Sequence, residues 1–274
     1  MKNRSLIFCI LALIVAQCAK EETGISPEQW LALAAKKPSF EEFRARTYHE
    51  DFEDGVYIVD GDIPIQDDAA LLEYYNRLEE TPSREQLIIN RYRGRDDVWN
   101  ARQKNNITFC VSALFGARKS QVVRALSQAA SEWEKAADVN FVHVSAQDAK
   151  CDQKNTAVVF DVRPVKSGQY LARSFFPSEG RKNSNLLIDD SSFEDSGYTL
   201  KGILAHELGH VLGFRHEHTR PEAHACFEDK SWRPLTPYDP SSVMHYPQCN
   251  GEGKNLKLTD LDRLGAADVY GPPK

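Results

Sequence analysis

Several features are scarce or missing in this chain of 274 residues, and each absence narrows the field. No long basic block interrupts a mixed charge pattern that sums to only -6, so nucleic acid and anionic membrane faces are set aside as partners. No apolar run is long enough to stay in a bilayer as a spanning helix. Internal repeats and low-complexity tracts are absent, so nothing points away from an ordinary packed domain. What remains is a globular composition, long enough to bury a real core in one principal domain preceded by a smaller segment.

The first residues follow the order of an export signal: Lys2 and Arg4, an apolar run from Leu6 to Ala16, then Gln17-Cys18-Ala19. A buried helix is the alternative, but the terminal position and flanking charges favour export. Val15-Ala16-Gln17-Cys18 resembles a lipobox with Gln17 where a small residue is usual, making Cys18 a candidate for lipid attachment, and the same residues suit a plain secretory cut after Cys18. The expected organisation is a signal over 1–18, a pro-segment or N-terminal extension over 19–100, and a principal domain over 101–274. The location follows as secreted or lipid-anchored in the envelope, with membrane attachment only through a lipid on Cys18.

Of six cysteines, Cys9 and Cys18 fall in the signal region, leaving Cys110, Cys151, Cys226 and Cys249. In an oxidising compartment these four allow three pairings, of which the nearest-neighbour one joins Cys110 to Cys151 and Cys226 to Cys249.

From Glu21 to about Asn100 the chain is charged, with short helical patches such as Leu71–Leu78 and a strand-like Val56–Val59 before the turn cluster Asp60-Gly61-Asp62 and Pro64. Beyond Asn106, short β-branched runs alternate with an amphipathic helix, which predicts an α+β domain. Strands are expected over 107–111, 139–144, 157–162, 170–175 and 185–188. Val122, Leu126, Ala129, Ala130, Trp133 and Ala137 recur at helical spacing and belong to the core. Further helices are expected over 199–212, stopped by Gly213, and over 259–269.

The chemistry concentrates in His206-Glu207-Leu208-Gly209-His210-Val211-Leu212-Gly213-Phe214-Arg215-His216-Glu217. On a helix His206 and His210 lie one turn apart on one face, with Glu207 beside them. Gly213 lets the backbone turn sharply and bring His216 back as a third nitrogen ligand, leaving one position open on a Zn2+ ion. Three neutral imidazoles keep the ion's charge undiluted, and Glu207 is placed as the base that moves a proton.

This extended pattern is similar to that of the metzincins, and Ser242-Val243-Met244-His245-Tyr246 resembles their Met-turn. Within that clan the chain resembles the astacin family, because Glu217 follows the third histidine directly and Tyr246 stands two residues after Met244. The resemblance covers roughly Ile107 to Tyr270. It implies a metzincin fold: a twisted, mostly parallel sheet, two long helices, an active-site helix and a Met-turn, preceded by a pro-segment. It also implies a zinc endopeptidase acting on protein or peptide substrates, made as a latent precursor and working as a monomer.

Residue by residue, the resemblance assigns Met244 to an apolar floor under the metal and Tyr246 to a hydroxyl that ligates at rest and later stabilises an oxyanion. Glu217 becomes a contact for a freed N-terminus, and Asp62, in Gly61-Asp62, a latch on the metal, although the family's aromatic residue is not in its usual place before the glycine. Arg91, Arg93 and Arg95 mark a stretch where a maturing protease could cut. Tyr170–Pro177 is the expected edge strand for an extended substrate, and His143, His218, His224 and His245 are expected to be structural. A matrixin-like metzincin is the nearest alternative, disfavoured because the pro-segment has no obvious cysteine-bearing latch. The alternative of another class is a catalytically idle zinc-binding adhesin or partner-binding module, against which Glu207 stands intact beside all three ligands.

Overall fold

The computed structural model describes residues 38–78, 88–194, 197–226, 228–253 and 255–274. The stretch expected to be an export signal, with Cys18, lies outside them. Charged residues 40–78 form α1 (Phe40–Arg46), β1 (Tyr48–His49), β2 (Tyr57–Val59), β3 (Ile63–Ile65) and α2 (Asp68–Arg77). A hairpin, β4 (Ile88–Tyr92) and β5 (Arg95–Asp96), precedes the principal sheet and its helices. These are β6 (Ile107–Val111), α3 (Lys119–Glu134), β7 (Phe141–His143), β8 (Phe160–Val165), β9 (Ala172–Arg173), β10 (Asn185–Asp189), α4 (Leu200–Val211), β11 (Trp232–Pro234) and α5 (Asp260–Tyr270).

The five-stranded sheet has the order β7-β6-β8-β10-β9. Its β6 is parallel to β7 and β8, β8 is parallel to β10, and only the edge strand β9 runs antiparallel. Such a sheet needs cover, and all five residues of β10 are buried. The cover comes from α3, whose Val122, Leu126, Ala129, Ala130 and Trp133 face inward at helical spacing. Trp133 joins the layers: its indole N–H donates to Ala205 O at 2.8 Å and its ring stacks on Phe214 at 5.3 Å. In α4 every residue except Lys201 is buried.

The expected strands exist, with ends moved. The stretch expected over 170–175 keeps only two paired residues, Ala172 and Arg173, and Tyr170 and Phe175 beyond them pack into two different apolar clusters. Of the three cysteine pairings the nearest-neighbour one forms, Cys110–Cys151 and Cys226–Cys249.

Residues 88–100, expected to close the N-terminal extension, pack against α4. Asn90 N–H donates to Gly213 O at 2.8 Å, Arg215 N–H to Ile88 O at 3.0 Å, and the Trp99 indole to Val211 O at 2.7 Å. Residues 88–100 are therefore part of the packed unit around α4. The hairpin's tip, Arg93-Gly94, is exposed.

Residues 40–78 carry a small core of Val59, Ile63, Leu71 and Tyr74, joined by Phe40 and Phe43 and closed by Phe176 from beyond the segment. Polar anchors add to it. Glu50 is buried against Arg173 through two contacts, 2.6 and 2.7 Å, and accepts from Tyr170 OH at 2.6 Å. Arg77 Nε donates to Asp229 at 2.6 Å, and Arg163 meets Glu53 at 3.1 Å.

Candidate metal centre

Thr199 caps α4, its hydroxyl accepting from Gly202 N–H at 3.1 Å. The far end stops at Gly213, whose φ of 93° suits glycine. A Cβ there would lie 2.1 Å from Asp97 O. Gly213→Ala is therefore expected to lower stability by at least about 2 kcal/mol in urea unfolding. A change under about 0.5 kcal/mol would show that the turn tolerates a side chain. With Gly213 O and Arg215 N held by β4, the chain is steered back and His216 enters the site.

His206 Nδ1–H donates to Val243 O at 2.7 Å and His210 Nδ1–H to Phe214 O at 2.8 Å. Carbonyls only accept, so each of these rings carries its proton outside and turns a bare Nε2 inward. His216 Nδ1 faces a carboxylate, Glu228 Oε1, at 2.6 Å. The inner Nε2 of His216 lies 3.1 Å from that of His206 and 3.2 Å from that of His210. Converging lone pairs repel unless a cation lies between them, and nitrogens at the usual zinc distance on a tetrahedron would be about 3.3 Å apart. The donor set fits zinc.

On the open side stands Asp62, buried, with its carboxylate 3.1 Å from His216 Nε2, 3.4 Å from His206 Nε2 and 3.7 Å from His210 Nε2. The other partner of this carboxylate is Tyr246, whose hydroxyl donates to Oδ2 at 2.5 Å. Burial opposes the Asp62 charge, yet His216 and His210 outweigh it and hold the carboxyl well below its usual range. Gly61 makes the approach feasible, because a Cβ there would stand 3.0 Å from the Tyr246 ring.

Glu207 is buried beside the histidines, and its Oε2 has no hydrogen-bond partner among the described residues. Burial first, then the charge of Asp62, push its carboxyl well above the usual range. Tyr246 stacks on His206 at 5.3 Å, and burial and Asp62 raise its phenol as well.

The Met-turn holds this geometry from below. Met244 is fully buried, and a Cβ on Gly209 would lie 2.3 Å from its sulfur, so the glycine admits Met244 under the helix. Asp262, on α5, accepts from Ser242 Oγ at 2.6 Å and Val243 N–H at 2.9 Å, fixing the carbonyl that orients His206. Sequence reasoning missed Asp262, although Thr259 and Asp262 form a legible capping box.

Glu217 is buried, accepts from Arg220 Nη1 at 3.1 Å and Asp239 N–H at 3.0 Å, and leaves Oε2 without a partner among the described residues. Burial pushes its carboxyl up despite Arg220. Among the remaining histidines, His143 meets Asp148 at 3.0 Å and His245 meets Tyr238 OH at 2.8 Å, as structural histidines should. His218 stacks on His216 at 4.7 Å, inside the shell of the site.

Beside His206 and Glu207 opens a cavity of about 250 Å³, walled by Leu171, Tyr198, Ile203, Pro247, Gln248 and Leu256 among others, with no lysine or arginine among the described residues of its lining.

A family model described as Matrixin matches residues 98–225. The zinc metalloproteinase nas-30 of Caenorhabditis elegans is 37% identical over 111 residues, covering 33% of this chain and 14% of that protein. Bone morphogenetic protein 1 of Xenopus laevis is 31% identical over 116 residues, 42% of this chain and 13% of the relative. Matrix metalloproteinase-A of Caenorhabditis elegans is 34% identical over 107 residues, 34% and 19% respectively. The chain thus spans less than a fifth of each of these curated relatives. Among solved structures, myroilysin aligns with a TM-score of 0.47 and 21% identity over 67% of this chain and 98% of that one. The hatching enzyme HCE-1, a zinc-protease of Oryzias latipes, aligns at 0.41 and 19%, over 64% and 95%. With the histidine motif, the Met-turn and Tyr246 assembled around one point, the chain is similar to the astacin-like metzincins over the matched residues.

Proposed function

We propose that the chain is the latent precursor of a zinc endopeptidase that hydrolyses peptide bonds of extracellular or envelope proteins. The observation that carries this reading is the convergence of three imidazole Nε2 nitrogens with Glu207 beside them and the Asp62 carboxylate across the open side. His206, His210 and His216 would hold zinc, which when bound polarises a substrate carbonyl and brings the pKa of a bound water toward neutrality.

Glu207 takes the water's proton and delivers it to the leaving amine. Once Asp62 withdraws, the Tyr246 hydroxyl loses its acceptor and is free to donate to the oxyanion of the tetrahedral intermediate. The open edge of β9 suits an extended peptide, which would add to the sheet through backbone hydrogen bonds and so tolerate many sequences. The largely apolar wall of the cavity next to Glu207, formed by Leu171, Ile203, Pro247 and Leu256 among others, favours an apolar side chain beside the scissile bond.

Cleavage of a mixed peptide library by the processed, zinc-loaded protein tests the reading. Cuts that vanish with chelator, and that place apolar residues on one side of the bond, are expected. No cuts from a zinc-containing, fully processed sample would move the assignment to a binding module. In the same assay Tyr246→Phe is expected to lower kcat by about 10- to 100-fold with KM within about threefold, the pattern of a group that acts in the transition state. An effect confined to KM would assign Tyr246 to substrate binding instead.

A further inference from the structure

The partners on the outer side of the three histidines are unequal. His206 and His210 donate to neutral backbone carbonyls, whereas His216 donates to a buried carboxylate, Glu228. The same oxygen, Oε1, lies 3.1 Å from His218 Nε2. The Tyr246 backbone N–H donates to His218 Nδ1 at 3.2 Å, so that nitrogen is an acceptor and Nε2 carries the proton. Glu228 Oε1 therefore accepts from two imidazoles, one on the metal and one that holds the backbone of Tyr246. This makes the trio of His216, His218 and Glu228 a hydrogen-bond hub and not a second ligand set.

Glu228 is itself fixed. Its Oε2 takes Arg215 Nη2 at 3.0 Å, its N–H donates to Thr219 Oγ1 at 3.1 Å, and two residues earlier Cys226 is tied to Cys249 behind the Met-turn. Arg215 also pairs with Asp229, so the loop carries two acidic residues of which only one reaches the histidines.

We propose that Glu228 is a positioning residue of the centre: its carboxylate fixes the tautomer and tilt of His216, strengthens that ring as a zinc donor, and through His218 sets the height of Tyr246. This rests on the reading that the three histidines hold zinc. A carboxylate behind a ligating imidazole is worth roughly 10- to 100-fold in metal affinity.

The test uses the full chain. Glu228→Gln keeps the volume and an acceptor oxygen for the two imidazole donors but removes the negative charge and turns an amide N–H toward Arg215. The zinc dissociation constant, measured by chelator competition, is expected to rise about 10- to 100-fold, with a shifted visible spectrum in the cobalt(II)-substituted protein. Asp229→Asn, which disturbs the same loop and Arg215 but not His216, is expected to stay within about threefold of the parent. A Glu228→Gln protein with the parent's affinity and spectrum, or an equal loss in Asp229→Asn, overturns the proposal. Should Glu228→Gln fail to fold, Glu228→Asp, which withdraws the charge by one methylene, is read by the same criteria. A parent chain that binds no zinc overturns the reading beneath; one that binds zinc and cuts nothing counts against the peptidase alone, while the affinity ratio still decides on Glu228.

Discussion

Glu207→Gln in the processed protein is expected to lower kcat/KM for peptide cleavage by about 10³-fold or more while zinc stays bound. The reason is local. The side chain lies buried between the histidines and the apolar cavity, and its Oε2 has no partner among the described residues. The nearby phenol of Tyr246 is kept protonated by burial, so it is no substitute base. Departure of Asp62 would remove the second cause that keeps the Glu207 carboxyl high, leaving burial alone and a group better able to accept a proton. Glutamine keeps the shape and takes away the base. The check is kcat/KM on a peptide found in the library, with metal content measured on the same sample. Activity within about tenfold of the parent would show that the proton goes elsewhere.

The second large effect is expected in the unprocessed chain. Asp62→Ala should raise its activity on a short peptide by about 10²-fold, because a buried carboxylate paired with several partners is worth about 2–5 kcal/mol. The contacts removed are those to His206, His210 and His216 and the bond from Tyr246. The segment itself should stay in place. Glu50 remains buried against Arg173, Asp60 stands 3.7 Å from Arg215, and Arg77 holds Asp229. A gain on short peptides larger than that on folded proteins is the signature expected of a latch opened under a lid that has not left. No gain on either, with zinc retained, would mean that the segment blocks the cleft by bulk and that Asp62 adds nothing.

The parts legible in the sequence are those written in short-range patterns. His206 and His210 share a helix face by spacing, Thr199 and Gly213 mark the helix ends, and Met244 and Tyr246 stand in one run. The turn around Gly61-Asp62 was visible, and the structure puts it on the histidines. What escaped was fixed by distant partners. Asn90 and Gly213 are joined across the chain, so nothing near residue 90 announces that β4 belongs to the domain. Glu50 and Arg173 are each unremarkable as charged residues until burial forces them together. His218 and Glu228 carry no periodic signal, and only the return of the chain after Gly213 brings them behind His216. Strand ends moved for the same reason, since pairing in β9 stops where Tyr170 and Phe175 find apolar neighbours.

The support of the Met-turn by Asp262 has a consequence for how the protein is made. His206 is oriented by Val243 O, and the backbone at Val243 is held by a carboxylate on α5. A chain emerging from its N-terminus presents residues 40–78 first, then the histidines, and only afterwards the helix that sets the first of them. The metal site is thus finished late, after the segment that covers it already exists. At no stage of synthesis does an ordered site stand uncovered for want of the segment that carries Asp62.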